Sequence, residues 1–405
     1  MQIKTILDLL GNGNTKQFIG EHLKDDVKKL ALDASKYRNM DVKAIASLIL
    51  LYQKAEIKLP EHYKKLAALN PKTYEQSTSE AVAKYKAKLL QLEGKELVNI
   101  TGGLGIDDWA MSEYASKIDS CEIDPFVHEL AKFNINLFQK SNIIRHLVDG
   151  IDFVKSIDST DIIYADPDRR PDAAKVFRLE DSQPDILNNI SFLLTKAKQV
   201  WIKLSPMADL AYVINALPTI TQIAVIAHLG EVKELLVCCE KTNFESVTST
   251  NYRIIAVNIG NETTDTFVGG ISEETALYHN SGNYLYEPNK AIIKAGLSKE
   301  YCSAINSKML SPNSHLFISD EEIKNVFGRT FKIKQRIAYK PKLIKTYLQS
   351  QTIKKANVTI RNFRETTAQL RERFKLNDGG EDYLFFTTDQ EKNAWMFHCV
   401  YPKKS

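Results

Sequence analysis

The stretch Leu97 to Asp108, reading LVNITGGLGIDD, constrains this chain more than any other. Four mostly apolar residues, Leu97 to Ile100, read as a short buried strand. They run into a glycine turn, Thr101-Gly102-Gly103-Leu104-Gly105, and then into a helix starting near Asp107. Glycine lets the backbone take positive φ and lets a ligand lie against bare amides. In a doubly wound α/β sheet, such a turn marks the crevice beyond the carboxyl end of the first strand. An ordinary strand-to-helix turn is the plainer alternative.

A dinucleotide site requires G-x-G-x-x-G, with the pyrophosphate on the helix N-terminus. Counting from Gly103, Asp108 replaces the third glycine, which removes a nicotinamide-dependent oxidoreductase. Two carboxylates at that helix start, Asp107 and Asp108, would repel a pyrophosphate. They suit a zwitterion carrying an ammonium and a sulfonium.

From Glu96 to about Glu240 strand and helix patterns alternate, implying a mostly parallel sheet covered on both faces. Lys117 to Ile123 is a second strand ending in Glu122, about 20 residues past the glycine turn, where an acid accepts hydrogen bonds from ribose hydroxyls. Asp124 is the weaker candidate for that role. An amphipathic helix, Phe126 to Gln139, precedes a third strand, Ile143 to Val148. Asp149 follows it, placed either to bond the exocyclic amine of adenine or simply as loop polarity.

The fourth strand, Asp161 to Ala165, ends in the charged turn Asp166-Pro167-Asp168-Arg169-Arg170-Pro171 over the same crevice. The fifth, Gln199 to Leu204, ends in Lys203-Leu204-Ser205-Pro206-Met207, with Asp209 opening a helix. Ile220 to Ala227 and Glu234 to Cys238 read as a β-hairpin closing the sheet.

Residues 1 to 94 read as a helical bundle with no visible chemistry. Apolar residues recur at helical spacing through Phe18-His22-Val27-Leu30-Leu32 and Val42-Ile45-Leu48-Leu51, with Asp41 as an N-cap. Leu59-Pro60 and Asn70-Pro71 break the helices. Ser77 or Thr78 followed by Glu80 reads either as a capping signal or as polar side chains near the crevice.

At 405 residues the chain has room for two or three domains, and its 43% hydrophobic and 26% charged content is that of a globular protein. The longest apolar run, Ala44 to Tyr52, is too short to cross a bilayer, and no membrane partner is expected. The first residues, MQIKTILDLLGNGN, lack the basic and apolar regions of a secretory signal. Five cysteines without a C-x-x-C pair are expected as reduced thiols in a cytoplasmic protein. Eight scattered histidines show no metal spacing, so no catalytic metal is expected.

A parallel five-strand core finished by a hairpin is the organisation of class I S-adenosylmethionine-dependent methyltransferases. The chain resembles those members that carry a ferredoxin-like segment and a THUMP-like domain at the C-terminus. The residues responsible are EQSTSEAVAKYKA (Glu75 to Ala87), ITGGLGIDD (Ile100 to Asp108), EIDP (Glu122 to Pro125), DPDRR (Asp166 to Arg170), KLSPMADL (Lys203 to Leu210) and YEPNKAIIKAGL (Tyr286 to Leu297). The resemblance implies an α/β fold in four parts: a helical domain at 1–94, a Rossmann-like methyltransferase sheet at 95–240, a ferredoxin-like segment at 241–322 and an α+β THUMP-like module at 323–405.

It further implies S-adenosyl-L-methionine as cofactor, with Thr101, Gly102, Gly103 and Gly105 passing its methionine part, Glu122 holding the ribose and Asp149 the adenine. Asp166 to Arg170 occupies the place where amino-methylating relatives have Asn/Asp-Pro-Pro-aromatic. Two departures stand out. Asn99 sits where many relatives have an acid, so the cofactor's ammonium leans on Asp107 or Asp166 instead. The aromatic that stacks on a target base is replaced by Asp168 and Arg169 after Pro167.

THUMP domains bind RNA, usually tRNA, so the implied reaction is methylation of a base nitrogen in tRNA or rRNA. Methyl transfer from a sulfonium mainly requires a positioned acceptor. Asp166 or Asp168 could accept the base proton. Arg169 and Arg170 clamp a phosphate or pair with the aspartates, and Lys203 and Ser205 line the substrate rim. The alternatives are an RNA-binding protein with a vestigial methyltransferase fold, and a methyltransferase for a substrate other than RNA.

Beyond Glu240, Asn251 to Ile259 is strand-like and Asn261 to Asp265 loop-like, followed by a helix at Asn289 to Ala295 and strands at His315 to Ile318 and Thr330 to Ala338. Helices at Pro341 to Gln349 and Thr366 to Phe374 then alternate with strands at Ala356 to Arg361, Tyr383 to Thr387 and Ala394 to Tyr401. Ile323 to Lys375 holds fifteen Lys or Arg against two acids, a local +13 that leaves −9 for the rest of a chain of net charge +4. Such a concentration reads as a polyanion-binding appendage, where a solvated helix face would explain only a few lysines. RNA affinity should therefore fall steeply with salt. Reversing the charges of Lys332, Lys334 and Arg336 is expected to weaken RNA binding in a fluorescence-anisotropy titration and leave cofactor affinity intact. Undiminished RNA binding would mean the patch has another purpose.

Overall fold

In the computed structural model the apolar run before the glycine turn is a strand, β1 (Glu96–Asn99). It is joined in parallel by β2 (Lys117–Glu122), β3 (Ile143–Leu147), β4 (Thr160–Ala165) and β5 (Ala197–Leu204). The order is β3-β2-β1-β4-β5, so the connections reverse between β1 and β4. That reversal opens a crevice at the strands' carboxyl ends. Both strands expected near the end of this region are present, at Ile220–His228 and Glu231–Glu240. The latter runs antiparallel to β5, from Gln199 opposite Glu240 to Leu204 opposite Leu235. The sheet is thus the Rossmann-like α/β arrangement expected.

The structure describes residues 3–32, 36–37, 40–169, 179–217, 219–241, 252–270 and 277–402. Two compact units divide them, Met1–Gln222 with Glu234–Ser249, and Ile223–Lys233 with Thr250–Ser405. Arg170, Pro171 and Asn251 of the sequence reading lie outside the described residues, as does the side chain of Arg169. No helix among the described residues is long and apolar enough to cross a membrane.

Among the described residues, seven α-helices precede β1, at Ile3–Gly11, Gly13–Glu21, Val27–Leu32, Val42–Lys58, Pro60–Lys65, Pro71–Gln76 and Glu80–Leu89. Asp41 caps its helix as expected, accepting from the Ala44 amide at 3.0 Å. Pro60 and Pro71 each open a helix rather than merely ending one, because proline at the first position lacks only an amide the helix would leave unbonded. The periodic run Phe18 to Leu32 is split between two helices, and Leu32 is 85% exposed, outside the core. Ser79, not Ser77 or Thr78, caps Glu80–Leu89, with its side chain accepting from the Val82 amide. Glu80 instead turns to the start of Pro60–Lys65, where it accepts from the Glu61 and His62 amides.

The second unit includes a hairpin, Arg253–Ile259 against Thr264–Gly269. Thr264 and Asp265, read as loop, therefore begin a strand: Gly260 and Thr263 close the turn with a 2.8 Å amide-to-carbonyl bond. A seven-stranded sheet follows. Its long strands, Gly328–Ala338, Ala394–Val400 and Asn377–Thr388, pair antiparallel, and Lys355–Arg361 adds in parallel at one edge. Helices Pro341–Ser350 and Thr367–Phe374 cover one face through Ile344, Leu348, Leu370 and Phe374. The other face packs Phe331, Phe385 and Phe397 against Leu285, Leu310 and Ile318.

The glycine after β3 shows how tightly the first unit is closed. A Cβ on Gly150 would sit 2.2 Å from the Ile100 carbonyl oxygen, a backbone clash no rotamer relieves. Gly150→Ala should cost about 3 kcal/mol in urea unfolding. Gly20→Ala, in a helix with nothing nearer than 3.9 Å, should instead stabilise by about 0.5 kcal/mol.

Candidate functional site

The three turn glycines are required for two different reasons. Gly103 and Gly105 have φ of +51° and +81°, which side-chain-bearing residues seldom adopt. Gly102 instead lies on a buried guanidinium: a Cβ there would come within 2.1 Å of Arg145 Nη1. Arg145, on β3, donates from Nη2 to the Gly103 carbonyl at 3.0 Å and from Nη1 to Ser120 Oγ at 2.8 Å. The Gly103 amide donates to Glu122 Oε2 at 2.9 Å. Gly103 is therefore gripped through both of its peptide groups, its amide by Glu122 and its carbonyl by Arg145.

Above the turn lies a cavity of about 760 Å³. Thr101, Gly102, Gly103, Gly105, Asp107, Glu122, Asp149, Asp166, Asp168 and Lys203 all line it, so the structure brings these sequence candidates together. Asp124 lines it as well, while its side chain caps the helix Pro125–Leu137. Asp149 likewise caps Gly150–Ser156 through one oxygen, accepting from the Ile151 amide at 2.8 Å. The helical region before β1 is not bland here: Lys72, Thr73, Gln76, Ser77 and Thr78 form part of the wall.

Asp107 and Asp108 part company. Successive helical residues point about 100° apart, so only one can face the cavity. Asp108 turns underneath, fully buried, accepting from Asn99 Nδ2 at 2.6 Å and Ser120 Oγ at 2.5 Å, with Arg145 at 3.5 Å. Burial pushes its carboxyl above the ordinary value, against the pull of Arg145. Asp108 therefore does not meet a ligand, contrary to its reading as one of two carboxylates beside the site.

Asp107 stays at the cavity. Its Oδ2 accepts from Lys86 Nζ at 2.8 Å and the Tyr164 hydroxyl at 2.9 Å. Its Oδ1 is buried and has no hydrogen-bond partner among the described residues. Burial raises its pKa, but the cationic Lys86 and Lys203 outweigh that and hold it below the ordinary range. Lys86, fully buried, also pairs with Glu234 at 3.0 Å and was not singled out from sequence. Its only signal was a lysine on the apolar face shared with Val82, Ala83 and Ala87.

At the ends of β4 and β5, Lys203 Nζ meets Asp166 Oδ2 at 2.5 Å, and the Asp166 amide donates to Thr101 Oγ1 at 2.6 Å. Asp166 and Lys203 are thus a bonded pair. Asp168 begins a two-residue strand against Ser182–Gln183, and burial, then the charge of Asp166, raises its carboxyl pKa. Ser205 does not join them. Its Oγ accepts from the Met207 amide at 3.2 Å in a local turn, and it lines no part of the cavity.

Of the basic candidates in the second unit, Lys332 and Lys334 are exposed. Arg336 is held inward, bonded to the Asn280 carbonyl and lying 4.0 Å from the centre of the Trp395 ring.

Residues 284–326 match a ferredoxin-like domain and residues 328–400 a THUMP domain-like family. No curated protein matches the chain. A crystal structure from Porphyromonas gingivalis W83, provisionally named a methyltransferase, is similar over 100% of both chains, with 28% identity and a TM-score of 0.85. A provisionally named class I S-adenosylmethionine-dependent methyltransferase from Listeria monocytogenes has 14% identity over 64% of this chain and 90% of its own, with a TM-score of 0.38. A Streptococcus mutans protein, provisionally named a methyltransferase and solved with SAH, has 14% identity over 41% of this chain and 100% of its own, with a TM-score of 0.31. The chain has the fold of the Porphyromonas gingivalis structure, a Rossmann-like α/β sheet followed by regions that match ferredoxin-like and THUMP-like domains.

The buried support beneath the turn gives a direct test. Asp108→Ala leaves the Arg145 guanidinium without its counter-charge, which should cost about 3–5 kcal/mol in denaturant unfolding.

Proposed function

We propose that this chain is an S-adenosylmethionine-dependent methyltransferase acting on a base nitrogen of RNA. The observation that carries the reading is the cavity itself: bare glycine backbone on one wall, Glu122 and Asp149 at the ends of neighbouring strands, and an unsatisfied carboxylate oxygen on Asp107. A buried carboxylate oxygen without a partner costs about 1–3 kcal/mol or more, so it calls for a donor. The cofactor's ammonium is such a donor, and Glu122 keeps lone pairs for ribose hydroxyls beside the Gly103 and Asp124 amides it already accepts. The residues present therefore fit the cofactor.

When bound, the cofactor supplies a methyl group on a sulfonium that is already a good leaving group. The protein's part is to hold the acceptor and take its proton. Asp166 is engaged by Lys203, which orients it and neutralises it. That leaves Asp168 as the proton acceptor, and its raised carboxyl pKa brings it nearer the working pH. The exposed lysines of the THUMP-like domain support RNA as the substrate class, through attraction to phosphates.

The test is mass spectrometry of RNA nucleosides from cells lacking this protein, followed by restoration of the missing methyl mark in vitro. A Cβ on Gly103 would meet nothing nearer than the Thr101 carbonyl oxygen at 3.9 Å, so Gly103→Arg projects a long side chain over the turn, strains its positive φ, and should abolish both cofactor binding and restoration. Methyl incorporation into protein but not RNA would redirect the substrate, and calorimetry showing no cofactor affinity would favour a vestigial fold.

A further inference from the structure

The helix Glu80–Leu89 contributes a lysine to the interior of the first unit. Lys86 is completely buried. An ammonium offers three hydrogens, and around this one stand Asp107 Oδ2 at 2.8 Å, Tyr164 Oη at 3.1 Å, Thr78 Oγ1 at 3.3 Å and Glu234 Oε1 at 3.0 Å. The Tyr164 hydroxyl donates in turn to Asp107 Oδ2 at 2.9 Å. Two donors therefore converge on one oxygen of Asp107 and none on the other.

That asymmetry fixes the carboxylate plane. With Oδ2 held from helix and strand, the group cannot rotate, and Oδ1 stays where no described residue bonds it, in a residue that lines the cavity. The charges point the same way. Lys86 and Lys203 face Asp107, Glu234 and Asp166; burial raises the Glu234 carboxyl pKa, whereas Asp107 is held below the ordinary range, so Asp107 is the buried carboxylate that keeps its charge for a cation. Desolvation opposes ionising Asp107, and the nearby ammonium groups more than offset it.

We propose that Lys86, with Tyr164, is a positioning residue that turns Asp107 so that its free oxygen receives the α-ammonium of the cofactor's amino-acid part. This rests on the cofactor reading above. Lys86 itself touches no cofactor; it acts through Asp107. The helical region before the sheet thereby sets which nucleoside thioethers the site prefers, favouring those that carry an amino acid.

Calorimetric titration of the full-length protein with S-adenosylhomocysteine and with 5′-methylthioadenosine separates the possibilities, because the second keeps the adenosine thioether and lacks the amino acid. Lys86→Met and Asp107→Asn should each weaken S-adenosylhomocysteine binding about 10- to 100-fold and leave 5′-methylthioadenosine binding unchanged. The double variant should lose little more than either single one, since both act on one contact. If Lys86→Met does not fold, Tyr164→Phe decides: it removes one hydroxyl, strands no charge, and should weaken S-adenosylhomocysteine selectively by about fivefold. Variants that keep the full preference for S-adenosylhomocysteine, or that lose both nucleosides equally, overturn the positioning role and leave the cofactor reading standing. An unaltered protein that binds neither nucleoside overturns both.

Discussion

A guanidinium buried beneath the glycine turn holds the site in shape. Taking an arginine out of water costs several kcal/mol unless a counter-charge and hydrogen bonds replace the lost solvation. Arg145 receives both, from Asp108 and Ser120, and spends its second nitrogen on the Gly103 carbonyl. Burial still pulls its pKa below the ordinary arginine value, but not far enough to free the proton. The turn's backbone is thereby tied to β3, and the Gly103 amide to Glu122 at the end of β2. The two peptide groups flanking the Gly103 Cα are thus held by β2 and β3, which fixes the spacing between the carboxylate of Glu122 and the bare amides.

The same logic explains why two adjacent aspartates are tolerated at one helix start. Each has its own cation, Arg145 below for Asp108 and Lys86 behind for Asp107. Both cations come from outside the turn, one from a strand and one from a helix ahead of the sheet. Without them, two buried carboxylates this close would repel each other and one would stay protonated. The acidic pair is therefore a device for locking the turn from both sides, and only one member is left over for a ligand.

The alternation of strands and helices from Glu96 to Glu240 was legible because each strand is apolar and ends in a charged or glycine-bearing turn. The order of the strands, with its reversal between β1 and β4, came only from the structure. Asn99, Glu122, Asp149 and Asp166 could be placed at the crevice by the same count, since each ends or follows a strand. What could not be read were contacts between segments. Glu80, two residues past Thr78, looks like part of its own helix's cap, yet it bonds a different helix 18 and 19 residues earlier. Lys86 looks like one of several lysines in AVAKYKAKL; helical spacing puts it, unlike Lys84 and Lys88, on the face of Val82, Ala83 and Ala87, but its partners Asp107 and Glu234 come from distant segments. Ser205 fails for the opposite reason, because a local turn captures its hydroxyl before the crevice can.

The basic stretch yields a last distinction that net charge conceals. Its arginines are largely engaged in architecture: Arg329 and Arg361 both pair with the buried Glu287, Arg371 with Asp378, Arg373 with Glu365, and Arg336 lies on Trp395. Lysines 332, 334, 342, 345 and 355 are exposed instead. Arginine's planar fork suits fixed, bidentate partners, whereas lysine presents a mobile point charge. A surface whose outward charges are mostly lysine attracts a phosphate backbone without reading sequence from it. On the proposed reading, discrimination among RNAs falls to the cavity, where Asp166, Asp168 and Lys203 offer directional hydrogen bonds, and the lysines contribute affinity alone.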